Sequence, residues 1–182
     1  MKVVSAVVAA ALTVGVAREA APASAMAPLT PAQVRAVMSS PTRHVRAVDG
    51  AMSSVLADGM RRSGTFAHLM LALDKSDVIV YIETGRRLPS SIAGRLLLAA
   101  GPEGFRYLRI QVTGRPNSKE MIALVGHELR HALEVAECPE VRDEAGLIAL
   151  YERIGHPSLG LHQYDTAAAQ AVGRQVRAEL AS

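Results

Sequence analysis

The chain has 182 residues, of which 49% are hydrophobic and 20% are charged, with a formal net charge of +3. This length suits one ordinary domain, and the apolar content excludes an intrinsically disordered chain. The small net charge, together with two Phe, four Tyr and no Trp, does not supply the basic surface or the stacking aromatic side chains of a nucleic-acid-binding protein. We therefore predict no nucleic-acid partner.

The first 25 residues are typical of a secretory signal peptide. Lys2 precedes an apolar run from Val3 to Ala17, and a stretch of small residues ends in Ala23-Ser24-Ala25. The run is shorter than the about 20 apolar residues of a membrane-spanning helix, so we expect cleavage after Ala25. The end of the apolar run also offers a cleavage site, and an uncleaved anchor is the alternative. The prediction is a secreted or periplasmic protein with a mature domain over residues 26–182 and no stable membrane insertion.

Three helices are predicted in the first part of this domain. Thr30 and the proline after it are typical of an N-cap and a first helical position, and they open a helix to about Met38. A second helix is predicted from about Val45 to Arg62. Ser63 can cap a third, which carries four apolar residues at helical spacing: Phe66, Leu69, Met70 and Leu73.

Two strands are predicted next. Val78 to Ile82 is β-branched and bounded by polar and glycine residues, which is typical of a buried strand. A loop rich in Gly and Pro follows, from Pro89 to Gly104. Phe105 to Thr113 then alternates, with apolar side chains on one face and polar ones on the other, which indicates a half-buried strand.

The last part of the chain is predicted to be helical. Asn117 can cap a helix that runs to about Glu137, and Glu120 can complete a capping box. Val141 to Ile154 and Thr166 to Leu180 form two further predicted helices. The order of helices, two strands and helices predicts an α+β fold with a small sheet.

The capped helix carries His127-Glu128-Leu129-Arg130-His131, which matches the H-E-x-x-H motif at every fixed position. At about 100° per residue, the two histidines lie about 40° apart on one helical face and about one turn apart along it. Both imidazoles can therefore reach one zinc ion. The opposite face is apolar, and the same pattern also fits a helix whose histidines simply face solvent.

This motif resembles that of the zincin superfamily of metallopeptidases. The resemblance implies that His127 and His131 bind zinc and that Glu128 is the general base on zinc-bound water and returns the proton to the leaving amine. Zincins place the motif helix beneath a small sheet whose edge strand holds an extended substrate. By resemblance, Phe105 to Thr113 would be that strand.

A third zinc ligand must come from elsewhere in the chain. The metzincin extension of the motif is absent, and the chain looks more like gluzincins, in which a carboxylate from a later helix completes the site. Tyr164-Asp165-Thr166 is similar to a segment of small exported zincin-like bacterial proteins that usually carry Glu, so Asp165 is the predicted ligand. An ordinary N-cap is the alternative for Asp165. The other candidates are Glu134, Glu137, Glu144, His156 and His162.

Glu134 shares the histidine face of the predicted helix. It is either a partner of a ligand or a solvated charge, and the sequence favours the solvated charge. For the whole protein we predict an exported zinc-dependent hydrolase, a peptidase acting on peptides or proteins. The alternatives are a non-catalytic zincin-like binding module of the cell envelope and a helical envelope protein without metal. The sequence leaves the oligomeric state open.

Overall fold

The computed structural model describes residues 7–9, 27–85, 88–89, 92–102, 104–114, 118–157 and 163–182. Most of the predicted leader, including the cleavage site after Ala25, lies outside these residues. The helices are α1 (Pro31–Ser39), α2 (Gly50–Arg62), α3 (Gly64–Leu73), α4 (Lys119–Ala136), α5 (Glu144–Ile154) and α6 (Ala167–Glu179). The strands are β1 (Val7–Ala9), β2 (Val45–Ala47), β3 (Val78–Thr84), β4 (Gly94–Ala99), β5 (Arg106–Val112), β6 (His156–Pro157) and β7 (Gln163–Asp165). No helix among the described residues is long and apolar enough to cross a membrane.

The strands form one mixed sheet in the order β2-β3-β5-β4-β1-β7-β6. β3 is parallel to β2 and to β5, whereas β4 is antiparallel to β5. β1 lies between β4, to which it is antiparallel, and β7, to which it is parallel. The α+β class is therefore as predicted, but the sheet is larger than the two strands predicted from the sequence.

β5 is an interior strand, so the expectation that Phe105 to Thr113 forms the edge of the sheet is wrong. It pairs with β3 on one side and with β4 on the other. The sequence predicts a loop over β4, because glycine and proline flank it and three consecutive leucines hide its alternation. In the structure Leu96 is buried beneath the sheet, whereas Arg95 and Leu97 lie on the other face.

Side-chain caps set where the first helices begin. Thr30 forms a capping box at the start of α1, which confirms the predicted boundary. α2 begins after its cap Asp49 and not at Val45, because Val45–Ala47 pair in parallel with β3. Ser63 caps α3, as predicted. Local propensity therefore placed the caps better than it separated a short strand from a helix.

The later helices also differ slightly from the prediction. The N-cap of α4 is Ser118, one residue after the predicted Asn117, which lies outside the described residues. α5 begins after its cap Asp143 instead of at Val141, and Thr166 is the N-cap of α6. These caps bind free backbone N–H groups of the first turn, which is why the helices begin there.

α4 is the central helix of the core. It packs against α2, α3 and α6 and against β3, β4 and β5. The inward residues of the sheet, such as Val80, Ile82, Leu108 and Ile110, are fully buried beneath these helices. As expected from the composition, the core consists chiefly of Leu, Val, Ile, Met and Ala. α4 is therefore buried on most of its surface, and its buried polar residues are His127, Glu128, His131 and Glu134.

Arg106 of β5 ties the C-terminal end of α4 to the sheet. Its guanidinium group is buried and binds both carboxylate oxygens of Asp77, at 2.6 and 3.0 Å. It also donates to four backbone carbonyls at and after the helix end: Val135, Ala136, Cys138 and Val141. Carbonyls at a helix end lack the usual partner four residues on, so Arg106 adds a donor there and fixes the position of α4 against the sheet. Hydrogen bonding to Arg106 holds the pKa of Asp77 below its usual range.

Candidate metal centre

The motif helix and β7 bring three ligand groups together. The Nε2 atoms of His127 and His131, one turn apart on α4, lie 3.1 Å from each other. Oδ1 of Asp165, the last residue of β7, lies 3.3 Å from Nε2 of His127 and 3.5 Å from Nε2 of His131. All three residues are buried. Asp165 is thus beside both imidazoles, and its role as a ligand stays a prediction.

These distances can be compared with those around a zinc ion. Ligand atoms at about 2.0–2.1 Å from zinc in a tetrahedron are about 3.3 Å from one another. The three ligand atoms form a triangle with sides of 3.1, 3.3 and 3.5 Å, which is close to one face of that tetrahedron. The residues therefore fit a metal ion with three protein ligands and one further position.

The backbone around Asp165 holds its carboxylate in place. Oδ1 accepts a hydrogen bond from the N–H of Thr166 at 2.7 Å, and Oδ2 accepts one from Nε2 of Gln170 at 3.0 Å. The alternative that Asp165 caps the helix is wrong, because the hydroxyl of Thr166 accepts from the N–H of Ala169 and is itself the cap. The cap residue thus leaves the neighbouring carboxylate available to the histidines.

Glycine residues allow α6 to approach α4 at this point. A Cβ atom at Gly173 would lie 3.4 Å from Cβ of His127, and one at Gly126 would lie 3.1 Å from a methyl carbon of Val176. The approach therefore depends on one glycine from each helix.

Glu134 is not the solvated charge that the sequence favoured. It is only 4% exposed, and its Oε2 lies 2.9 Å from Nδ1 of His131. Tyr151 is buried beside the same histidine, and its hydroxyl donates to the backbone carbonyl of His131 at 3.1 Å. The imidazole of His131 is therefore held from two sides before any ligand arrives.

The carboxylates of the site create a negative electrostatic potential around the histidines. Burial lowers the pKa of His127 and outweighs its bond to Asp165. Burial also acts to lower the pKa of His131, but the bonds to Asp165 and Glu134 outweigh it and raise this pKa to about 9. Burial opposes ionisation of Asp165, yet the two histidines hold its pKa well below the usual range. Two carboxylates thus surround His131, and the same field favours a divalent cation.

Glu128 differs from its neighbours in having no hydrogen-bond partner in the part of the chain that the structure describes. Both carboxylate oxygens are buried and unpaired among the described residues, and burial raises the pKa of the side chain to about 8. The carboxylate lies against Gly94 of β4, where a Cβ atom would be 2.9 Å from Cδ of Glu128. An unpaired buried carboxylate is costly, so Glu128 is poised to bind a group that enters the site.

Those of the remaining candidate ligands that the structure describes are not part of this cluster. Glu137 is exposed and pairs with Arg130 at 3.0 Å. Glu144 begins α5, and His156 is exposed on β6. His162 lies outside the described residues. The alternative in which the motif histidines face solvent is wrong, because His131 is fully buried and His127 is 8% exposed.

Comparison with protein-family models, curated proteins and solved structures gave no match for this chain. The geometry of the site must therefore carry any functional argument.

Sequence reasoning missed Gly94 and Thr166. Gly94 lay in a segment predicted to be a loop, and only its position on β4 brings it against Glu128. Thr166 had a usable signal, since threonine is a preferred N-cap and it follows a predicted ligand directly.

Proposed function

We propose that the protein is an exported, secreted or periplasmic zinc-dependent hydrolase, a zincin-like peptidase with His127, His131 and Asp165 as zinc ligands and Glu128 as general base. Two imidazoles and one carboxylate are a donor set that zinc favours in catalytic sites. Zinc bound there would lower the pKa of a water molecule and polarise a carbonyl group.

The observation that carries this proposal is the state of Glu128. Structural zinc sites use four protein ligands and need no additional base. Here three ligand atoms converge, and a fourth residue, the acidic Glu128 next to His127, has both oxygens buried without a partner among the described residues. In hydrolysis, one Oε atom of Glu128 takes a proton from the attacking water and returns it to the leaving amine.

The sheet supports a peptide as the substrate. In zincins an extended substrate pairs with a strand beside the motif helix, and β4 is the strand whose Gly94 contacts Glu128. β4 pairs with β5 on one side and, on the other, with Val7–Ala9, which belong to the predicted leader. Removal of the leader would free the backbone groups of β4, and we expect the substrate to pair with this strand.

Glu128→Gln tests the proposal, because the amide keeps the size of the side chain and removes the base. We expect the purified mature domain to bind one zinc ion in both forms, and we expect the variant to hydrolyse a peptide library at least 100-fold more slowly. Zinc content is measured by atomic emission and cleavage by mass spectrometry. Equal cleavage rates in the two forms would exclude Glu128 as the base.

A non-catalytic zincin-like binding module of the cell envelope is the second candidate function. The observation in its favour is that Glu128 and His131 have no exposed surface, whereas a peptidase must admit its substrate. Zinc in both forms, with no cleavage by the wild-type domain, would support this second function.

A further inference from the structure

Glu134 makes two hydrogen bonds that connect separate parts of the metal centre. Its Oε2 lies 2.9 Å from Nδ1 of His131, and its Oε1 accepts from the hydroxyl of Thr166 at 2.7 Å. His131 is on α4, whereas Thr166 directly follows Asp165 at the end of β7. One carboxylate therefore holds one predicted ligand directly and holds the other through the next residue.

The bond to His131 controls which nitrogen faces the cluster. A carboxylate at Nδ1 requires a proton on Nδ1, and this leaves Nε2 as the atom that can bind a metal. Nε2 is also the atom that lies 3.1 Å from His127 and 3.5 Å from Asp165. Glu134 thus selects the tautomer and the ring orientation that a metal needs.

The bond to Thr166 controls the position of the third ligand. The hydroxyl of Thr166 accepts from the N–H of Ala169 and donates to Glu134, so both of its hydrogen-bonding roles are filled. Asp165 and the start of α6 are therefore fastened to α4 at one point. Without this bond, the 3.3 and 3.5 Å distances from Asp165 to the two histidines depend on helix packing and on the pairing of β7 with its neighbouring strands.

The carboxylate of Glu134 is buried, and its partners offset the cost of that burial. A carboxylate that is only 4% exposed is destabilising unless it is well paired. Glu134 has three partners: His131, Thr166 and, at 3.7 Å, Nε of Arg130. Glu137, three residues further along the helix, is exposed and pairs with Arg130 alone at 3.0 Å. Glu137 therefore provides a matched control.

We propose that Glu134 is a positioning residue of the metal centre, which presents Nε2 of His131 and fastens the Asp165 segment to α4. This inference rests on the metal site of the proposed function and is independent of hydrolysis.

The experiment compares Glu134→Ala, Glu134→Gln and Glu137→Ala in the mature domain. Zinc affinity is measured by competition with a chromophoric chelator, and the absorption spectrum of the cobalt-loaded protein reports the coordination geometry. We expect a 10- to 100-fold loss of affinity for Glu134→Ala, as is typical for such partners of metal ligands. Glu134→Gln, which keeps an acceptor for Nδ1 but has no charge, should lose about tenfold. Glu137→Ala should match the wild type in affinity and spectrum.

Thr166→Val and Thr166→Ser test the second bond separately. Valine removes the hydroxyl, so we expect weaker zinc binding and an altered cobalt spectrum. Serine keeps the hydroxyl and should restore both properties, which a purely steric role of the side chain would not allow.

Several outcomes separate this inference from the proposed function. A wild-type domain that binds no zinc would overturn the metal site itself. If the wild type binds zinc, and Glu134→Gln and Thr166→Val bind it within twofold of the wild type with an unchanged cobalt spectrum, only the role of Glu134 is overturned. Circular dichroism of the metal-free variants checks the fold, and if Glu134→Ala does not fold, the glutamine variant decides.

Discussion

Two buried polar groups meet α4, and they differ in whether their hydrogen bonds are complete. At the end of the helix, Arg106 donates to Asp77 and to four backbone carbonyls. In the middle of the helix, Glu128 is also buried, but neither of its oxygens has a hydrogen-bond partner among the described residues. The hydrogen bonds of Arg106 are complete within the fold, whereas the carboxyl group of Glu128 is left without one. We infer that the first was placed for stability and the second for binding an incoming group.

Substitutions of Arg106 and of Glu128 should therefore change stability in opposite directions. Removing Arg106 should harm folding, because it leaves acceptors unpaired. Removing the charge of Glu128 should help folding, because it ends an unfavourable burial. The predictions below test that contrast, in order of decreasing effect on stability.

The largest effect is expected for Arg106→Met. The substitution removes the guanidinium donor from the carboxylate of Asp77 and from the four carbonyls at and after the end of α4, which should cost about 3–5 kcal/mol of unfolding free energy. Urea denaturation of the metal-free domain measures this loss. The control is Arg153→Met, since Arg153 and Glu140 are both exposed and 3.5 Å apart, and it should cost less than about 0.5 kcal/mol. Similar losses in the two variants would contradict the structural role of Arg106.

The next effect concerns pH and Glu128. Its pKa is raised from 4.5 to about 8 in the folded protein, so the folded state is favoured below pH 4.5 and loses stability as the pH rises towards 8. Glu128→Gln should therefore be more stable than the wild type, by an amount that grows to about 3 kcal/mol by pH 7 and continues to grow until the pH passes 8.

Urea denaturation with a chelator present, at pH values from 5 to 9, measures this difference. The raised pKa of His131 acts in the same direction, and Glu128 contributes to it, so the difference reports Glu128 together with its coupling to His131. A difference that does not change with pH would show that the carboxylate is not penalised by burial.

The smallest effect is expected for Gly94→Ala. The new methyl group would lie 2.9 Å from Cδ and 3.1 Å from Cγ of Glu128, and such overpacking costs about 1–3 kcal/mol. The cost should nearly vanish in a Glu128→Ala background, which a double-mutant cycle measures. Gly50→Ala is the control, because nothing lies within 4 Å of its added Cβ. Equal costs in the two backgrounds would mean that the methyl group meets something other than Glu128.

The convergence of the site could be predicted only in part from the sequence. The spacing of His127 and His131 fixes both imidazoles on one turn of a helix, whatever the rest of the fold does. Asp165 was predicted beside them, and it lies there. The burial of Glu134 could not be foreseen, because helical periodicity places it on the polar face, and that face is covered by residues distant in sequence, such as Tyr151 and Thr166.

The sheet was harder to predict for a different reason. β3 and β5 have β-branched or alternating sequences, and both were predicted. β2, β6 and β7 have two or three residues each, too few for a period to be read. The order of the strands depends on long-range pairing, so the interior position of β5 has no local signal.

The contact between Gly94 and Glu128 also limits how this sequence can change over generations. As long as residue 128 is a glutamate, any side chain at position 94 displaces its carboxylate. A lineage that shortens residue 128 removes that restriction, and position 94 can then drift. Homologues should therefore show the two positions changing together, with glycine at 94 wherever glutamate is kept. A relative with alanine at position 94 and a short residue at position 128 would therefore be identified, from these two positions alone, as a protein that has lost the acidic group.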